Sequence, residues 1–139
     1  MTSRTRITDA DYARLLAVRT RLRKFEHWSA GQAAAMGLTG SQHQLLLAIR
    51  GHRGPEGPTI GEVADYLLVR HNTAVELVNR TQELGLIERV RDDVDHRVVR
   101  LTLTDEGRKR LNALSAEHIE ELARLATVVD ELIDTLRTA

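Results

Sequence analysis

The chain predicts a mainly α-helical domain with one small β-wing: a winged helix-turn-helix carrying an additional helix at each end. Three observations predict it. Residues 59–84 read as two short amphipathic helices separated by a tight break at Val69 and Arg70. Residues 87–103 read as a hairpin, two strands rich in alternating β-branched residues around the polar connection Arg91-Asp92-Asp93-Val94-Asp95-His96-Arg97. Beyond Thr104, Leu111, Leu114, His118, Leu122, Leu125, Val129, Leu132 and Leu136 recur every three or four residues, the period of one face of a long helix.

Each element has a local reason. Thr8 or Asp9 caps a first helix whose Leu15, Val18, Leu22 and Phe25 recur at helical spacing and whose polar face is full of arginine. It runs to about Met36, with Gly31 a weak point and Gly37 the stop. Thr39 and Gln42 have the spacing of a capping box and open a second helix with Leu45, Leu46, Ala48 and Ile49 inward, ended by Gly51. Residues 51–58 are the Gly/Pro-rich stretch and read as a loop. Thr59 and Glu62 form a second capping box, and the helix they open buries Val63, Leu67 and Ile60. A helix over 71–84 follows, with Ala74, Leu77, Val78, Thr81 and Leu84 inward, and Gly85 takes a left-handed turn into the first strand. Strands are expected over 87–91 and 98–103. Thr104 then caps the last helix, with Asp105 and Glu106 complementing its dipole; it is one long helix, or two with a bend near Ala126 and Thr127.

Composition narrows the class. A chain of 139 residues is one domain's worth of sequence, divided into terminal helices at 7–36 and 105–138 and a winged-helix lobe at 39–103. With no cysteine there is no disulfide, thiol redox centre or cysteine-based zinc site. No apolar run approaches the ~18 residues of a membrane span, and the N-terminus has no secretory pattern, so a cytoplasmic protein with no membrane partner is expected. Formal net charge is zero, so contact with nucleic acid depends on local patches, not on a global field.

The helix over 71–84 suits the major groove of DNA, because it stands at an angle to its predecessor beside a basic hairpin. Its outward face carries His71, Asn72, Thr73, Val75, Glu76, Asn79 and Arg80, with Arg70 just before it. Asn72 offers a donor and an acceptor to adenine, and Thr73 and Val75 suit thymine methyls. Arg70 and Arg80 suit phosphates, which position a protein without reading sequence. Glu76 either accepts from cytosine N4 or pairs with Arg80 one turn on. The competing reading is an ordinary solvated helix face. Arg89, Arg91 and Arg100 lie on the wing strands and either flank the DNA backbone or solvate the sheet.

Other chemistries find little support. Asp92, Asp93 and Asp95 lack the glycine and distal glutamate of a calcium loop. The six histidines show no short metal spacing; His118 sits on the apolar stripe of the last helix. No serine lies in a nucleophile-elbow context and no glycine loop cradles phosphate, since Gly51, Gly54 and Gly57 are interleaved with prolines. No enzyme, cofactor or metal is expected.

Taken in order, Leu38-Thr39 with Gln42 and Leu45-Leu46, then Thr59-Ile60-Gly61-Glu62-Val63-Ala64, Leu84-Gly85-Leu86-Ile87-Glu88-Arg89, Asp95-His96-Arg97 and Leu103-Thr104-Asp105-Glu106-Gly107 resemble the multiple-antibiotic-resistance regulator (MarR) family. The resemblance covers most of residues 38–107. It implies a homodimer joined by its terminal helices on a pseudo-palindromic double-stranded DNA operator, a ligand-responsive repressor released by small phenolic or anionic effectors. It implies a wing arginine at Arg97 in the minor groove, with Asp95 orienting Arg97 or a nearby arginine through a charge-assisted bond. It also suggests Tyr12, His27, Trp28 and His43 as lining an effector cavity, where plain packing is the alternative. Two departures stand out: Glu76 in the recognition helix, and about 32 residues after Gly107 where the family usually carries a longer two-helix tail. A winged helix used as a protein-interaction or assembly module, without a specific operator, is the other functional reading.

Overall fold

The computed structural model describes residues 6–138. The element order is α1 (Asp9–Ala35), α2 (Gly40–Gly51), α3 (Ile60–Leu67), α4 (His71–Glu83), β1 (Ile87–Arg91), β2 (Val99–Leu103) and α5 (Asp105–Thr138). This is the mainly helical, two-strand-wing architecture expected. Two compact units divide it: Gln32–Ser115, and the stretch of α1 up to Gly31 with the chain from Ala116 onward.

In the Gln32–Ser115 unit, capping sets the helix starts. Thr39 Oγ1 accepts from the Gln42 amide at 3.1 Å while Gln42 Oε1 accepts from the Thr39 amide at 2.9 Å. Thr59 and Glu62 make the same reciprocal pair at 3.2 and 3.1 Å. Each box satisfies amide donors that a helix N-terminus otherwise leaves open. The Glu62 carboxyl is held below its ordinary value of 4.5, chiefly by the Thr59 amide, with help from the Thr59 hydroxyl and from His52 and Arg100. A carboxyl with a lowered folded value contributes stability that is complete above its unfolded value and lost as pH falls through the folded one. Glu62→Gln keeps the cap but removes the charge. We expect its stability to lose less than that of the parent as pH drops below 4.5; parallel urea melts through that range would contradict this.

The apolar positions converge on one core: Leu38, Leu45, Leu46, Ile49, Val63, Val78, Leu86, Ile87, Leu101, Leu103, Leu111 and Leu114, joined by Ala33. Gln42 and His43 are also buried, which the pattern of the second helix did not suggest. Leu84, expected inward, is 48% exposed. α4 ends at Glu83, one residue before expected; Leu84 is its C-cap, still in right-handed geometry, and the Gly85 amide bonds back to the Gln82 carbonyl to turn the chain. The turn between α3 and α4 runs through Leu68, which was expected to continue the helix. It instead adopts left-handed φ 55°, and its amide and that of Val69 reach back to the Asp65 and Ala64 carbonyls.

β1 and β2 pair antiparallel in the register Ile87↔Leu103 and Arg91↔Val99. β2 begins one residue later than expected, because the Val98 amide closes a turn onto the Asp95 carbonyl at 2.9 Å. The loop before α3 lies along β2: the Leu101 amide donates to the Pro58 carbonyl at 2.8 Å, and a Cβ on Gly57 would stand 1.9 Å from the Leu101 carbonyl oxygen. Only glycine permits that approach. Thr104 ties the hairpin to α5. Its amide donates to the Leu86 carbonyl, its hydroxyl donates to the Gly85 carbonyl, and the same hydroxyl accepts from the Gly107 amide. A Cβ on Gly107 would meet the Leu86 carbonyl oxygen at 2.1 Å.

The second unit pairs part of α1 with the later part of α5. Thr8 caps α1 reciprocally with Asp11. α1 ends at Ala35, one residue before the expected Met36, where the Met36 and Gly37 amides tighten onto the carbonyls three residues back. Ser29 Oγ lies 2.8 Å from His118 Nε2, and the His118 ring packs against Trp28 with centroids 4.8 Å apart. Arg21 bonds Glu121 at 3.3 Å. α5 is one continuous helix, without the break considered at Ala126. Leu15 and Leu22 on the α1 stripe and Leu122 on the α5 stripe are exposed in the single chain, as are Leu16 and Ile119. The stripes are therefore wider than the pairing within one chain covers.

Candidate nucleic-acid interface

The candidate interface is assembled from α4 and the hairpin. Ala74, Val78 and Thr81 are buried and fix the rotation of α4; the Thr81 hydroxyl satisfies itself by donating to the Leu77 carbonyl at 2.7 Å. The rest of the helix follows. His71, Asn72, Thr73, Glu76, Asn79 and Arg80 are exposed, Val75 is half-buried, and Arg70 is exposed at the N-cap, where no side chain caps the helix. Among the described residues no ion pair joins Glu76 to Arg80, so of the two roles read for that acid the intrahelical pair is not formed here.

Asn79 has a partner that the sequence did not reveal. Its side-chain oxygen accepts from Arg89 Nη2 at 2.6 Å, and Arg89 Nη1 donates to Gln82. Arg89 on β1, half-buried, thus grips α4 beside the exposed Asn79. Arg100 is engaged by other parts of the chain. It lies 2.7 Å from the Glu56 carboxylate and donates to the Gly57 carbonyl at 3.1 Å, fastening β2 to the loop before α3. Of the three wing-strand arginines, Arg91 is exposed. Arg89 and Arg91 share one face of the hairpin and Arg100 occupies the other, so the face alone does not separate these fates; what packs beside each residue does.

At the end of the hairpin the Asp95 carboxylate holds Arg97 three ways: Arg97 Nε to Oδ1 at 3.0 Å, Nη2 to Oδ2 at 3.1 Å, and the Arg97 amide to Oδ1 at 3.1 Å. The Arg97 side chain nevertheless remains 91% exposed. The fork-to-fork geometry with a carboxylate orients the guanidinium without burying it. It lowers the Asp95 carboxyl below its usual range and raises Arg97, so both stay charged at any physiological pH.

The residues read as a possible effector cavity lie in different surroundings. Tyr12 and His27 are exposed, Trp28 is half-buried against Phe25 and His118, and His43 is buried within α2. Among the described residues no cluster of His, Asp or Glu could hold a metal ion, and no helix is long and apolar enough to cross a membrane.

A tri-helical core, a helix presented beside a two-stranded wing and flanking helices define a winged helix-turn-helix protein. Residues 36–98 match the family model described as MarR family. The chain is 36% identical over 64 residues to the uncharacterised HTH-type transcriptional regulator YsmB of Bacillus subtilis, covering 46% of this chain and 44% of that one. It is 25% identical over 83 residues to the HTH-type transcriptional regulator PecS of Dickeya dadantii, covering 60% and 50%. These matches span about half the length of either relative. The fold is similar to that of the MarR family transcription regulator SP03579, with TM-score 0.72 and 22% identity over 91% of this chain and 83% of that one. It is also similar to a MarR mutant from E. coli complexed with operator DNA (TM-score 0.66, 19% identity, 86% and 90% covered) and to CouR from Rhodococcus jostii RHA1 bound to p-coumaroyl-CoA (0.70, 23%, 88% and 87%). The similarity to the MarR family therefore rests on residues 36–98 and on the shared fold.

Proposed function

We propose that the chain is a sequence-specific, DNA-binding transcriptional regulator acting in the cytoplasm as a homodimeric, ligand-responsive repressor. In this reading α4 enters the major groove and the wing reaches the minor groove. The observation that carries it is the exposed Arg97 guanidinium, pre-oriented by Asp95 on the same lobe that exposes one whole face of α4. A cation held ready at a hairpin end gains from the negative potential of a narrow minor groove and loses little side-chain entropy on docking. The E. coli relative captured on operator DNA has the same fold, which supports the reading.

Dimerisation rests on the apolar residues left open in the helical unit, Leu15, Leu16, Leu22, Ile119 and Leu122. A dimer would set two copies of α4 to half-sites about one helical turn, ~34 Å, apart. An effector would act by binding one spacing of those helices better than another, and can shift the equilibrium only by that difference. The fold shared with CouR, which was captured bound to p-coumaroyl-CoA, supports a small-molecule effector.

Arg97→Ala is the direct test. We expect affinity for a selected operator to fall about ten- to hundredfold, the salt dependence to shallow by about one released counterion per wing, and fold and dimer to persist. Unchanged anisotropy titrations would remove the wing from the interface. The other reading, a winged helix used for protein assembly, is favoured by the zero net charge and by Glu76 on the helix face. Binding that is weak, sequence-blind and insensitive to salt would select it.

A further inference from the structure

The wing tip carries an apolar side chain where hairpin connections favour small polar ones. Val94 is 91% exposed at the apex. Two neighbouring carboxylates are drawn back from it. Asp92 is mostly covered, with Oδ2 3.9 Å from Arg100 Nη2, and Asp95 is engaged by Arg97. The main chain is closed beneath the tip by the Asp92 amide to the Val98 carbonyl and the Val98 amide to the Asp95 carbonyl, both 2.9 Å. The result is a braced projection that offers a valine and a guanidinium close together in sequence. Asp93 and His96 are exposed beside them.

We infer that Val94 determines sequence specificity beneath the wing: resting against the floor and sugar walls of the minor groove next to Arg97, it accepts A·T pairs and rejects G·C pairs. This inference rests on the DNA-binding reading above. The chemistry is selective because the two kinds of pair differ in the minor groove by one group. A·T shows acceptors alone, whereas G·C adds the guanine 2-amino donor at the centre of the floor. A valine cannot accept from that donor, and covering it would leave a hydrogen-bonding group desolvated and unmatched. The same amino group fills the space that an apolar branch would occupy. Arg97 prefers the narrower A·T-rich groove for its potential, so valine and arginine select the same sequences by different physical routes, one steric and apolar, the other electrostatic.

The two routes can be separated with base analogues. Full-length protein is titrated by fluorescence anisotropy against a selected operator in which base pairs under the wing are changed to G·C or to inosine·C, which lacks the 2-amino group. We expect G·C to weaken binding about tenfold or more and inosine·C to restore it. Val94→Asn supplies an acceptor, and we expect it to shrink the G·C penalty to within about twofold. Because Val94 is exposed, the variant should fold as the parent does, checked by circular dichroism. A parent indifferent to G·C, or a Val94→Asn protein with the full penalty, overturns the inference; loss of affinity in Arg97→Ala in the same assay would show that the DNA-binding reading survives. If the parent binds no DNA specifically, both fall.

Discussion

Gly107→Ala lowers the stability of the winged lobe by about 2–3 kcal/mol, although alanine in place of glycine inside a helix ordinarily raises it by roughly 0.5–1 kcal/mol. The sign reverses because the added methyl would stand 2.1 Å from the Leu86 carbonyl oxygen, which already accepts the Thr104 amide. Neither partner is the loose end of a side chain. The strand, the carbonyl or the first turn of α5 must move, and each holds the others. Gly31→Ala is the internal control: it is also helical, and nothing lies within 4 Å of its would-be Cβ. Urea melts of the two variants should shift in opposite directions. A Gly107→Ala protein as stable as the parent would mean that the joint between hairpin and helix relaxes freely.

The second large effect lies in the helical unit. Leu125 is 8% exposed within the single chain, whereas Leu16 on α1 is 65% exposed. Leu125→Asp removes a buried side chain and leaves a carboxylate in apolar surroundings, at a cost of about 3–5 kcal/mol. We expect loss of helical signal and a lowered melting temperature at any protein concentration. Leu16→Asp should leave the folded chain nearly unchanged and act on association instead, moving sedimentation toward the monomer. If Leu16→Asp still sediments as the parent does, the proposed homodimer is not built on this surface. The contrast separates two roles that the helical period in sequence merges, since Leu125 and the exposed leucines share the same spacing.

That merging marks what sequence could and could not show. The capping boxes at Thr39 and Thr59 were legible because their chemistry is local: a hydroxyl and an amide or carboxylate three residues apart satisfy each other in almost any context. Helix and strand positions followed for the same reason, with errors of one residue at Met36, Leu84 and Val98. The turn at Leu68 was not legible, because leucine ordinarily avoids left-handed backbone and only the fit of α3 against α4 imposes it. The stripes on α1 and α5 gave the period but not the partner, and the single chain leaves Leu15, Leu22 and Leu122 open. On the candidate interface, the outward face of α4 was predictable from its buried face. The fates of Arg89 and Arg100 were not, because both depend on residues distant in sequence, Asn79 and Gln82 for one and Glu56 and Gly57 for the other.

Those two arginines bear on how such a protein would find its target. Phosphate attraction is blind to sequence, and each cation that docks on DNA releases counterions wherever it lands. Arg89 and Arg100 are already engaged by α4 and by the loop before α3, so they add less to that indiscriminate attraction than free cations would. A neutral chain with its wing cations partly withdrawn would hold random chromosomal DNA weakly and leave it quickly. Occupancy of a target in a genome depends on the ratio of specific to non-specific affinity, not on the strength of either. On the proposed DNA-binding reading, using two arginines as fasteners would favour discrimination among sites over tenacity at any one of them.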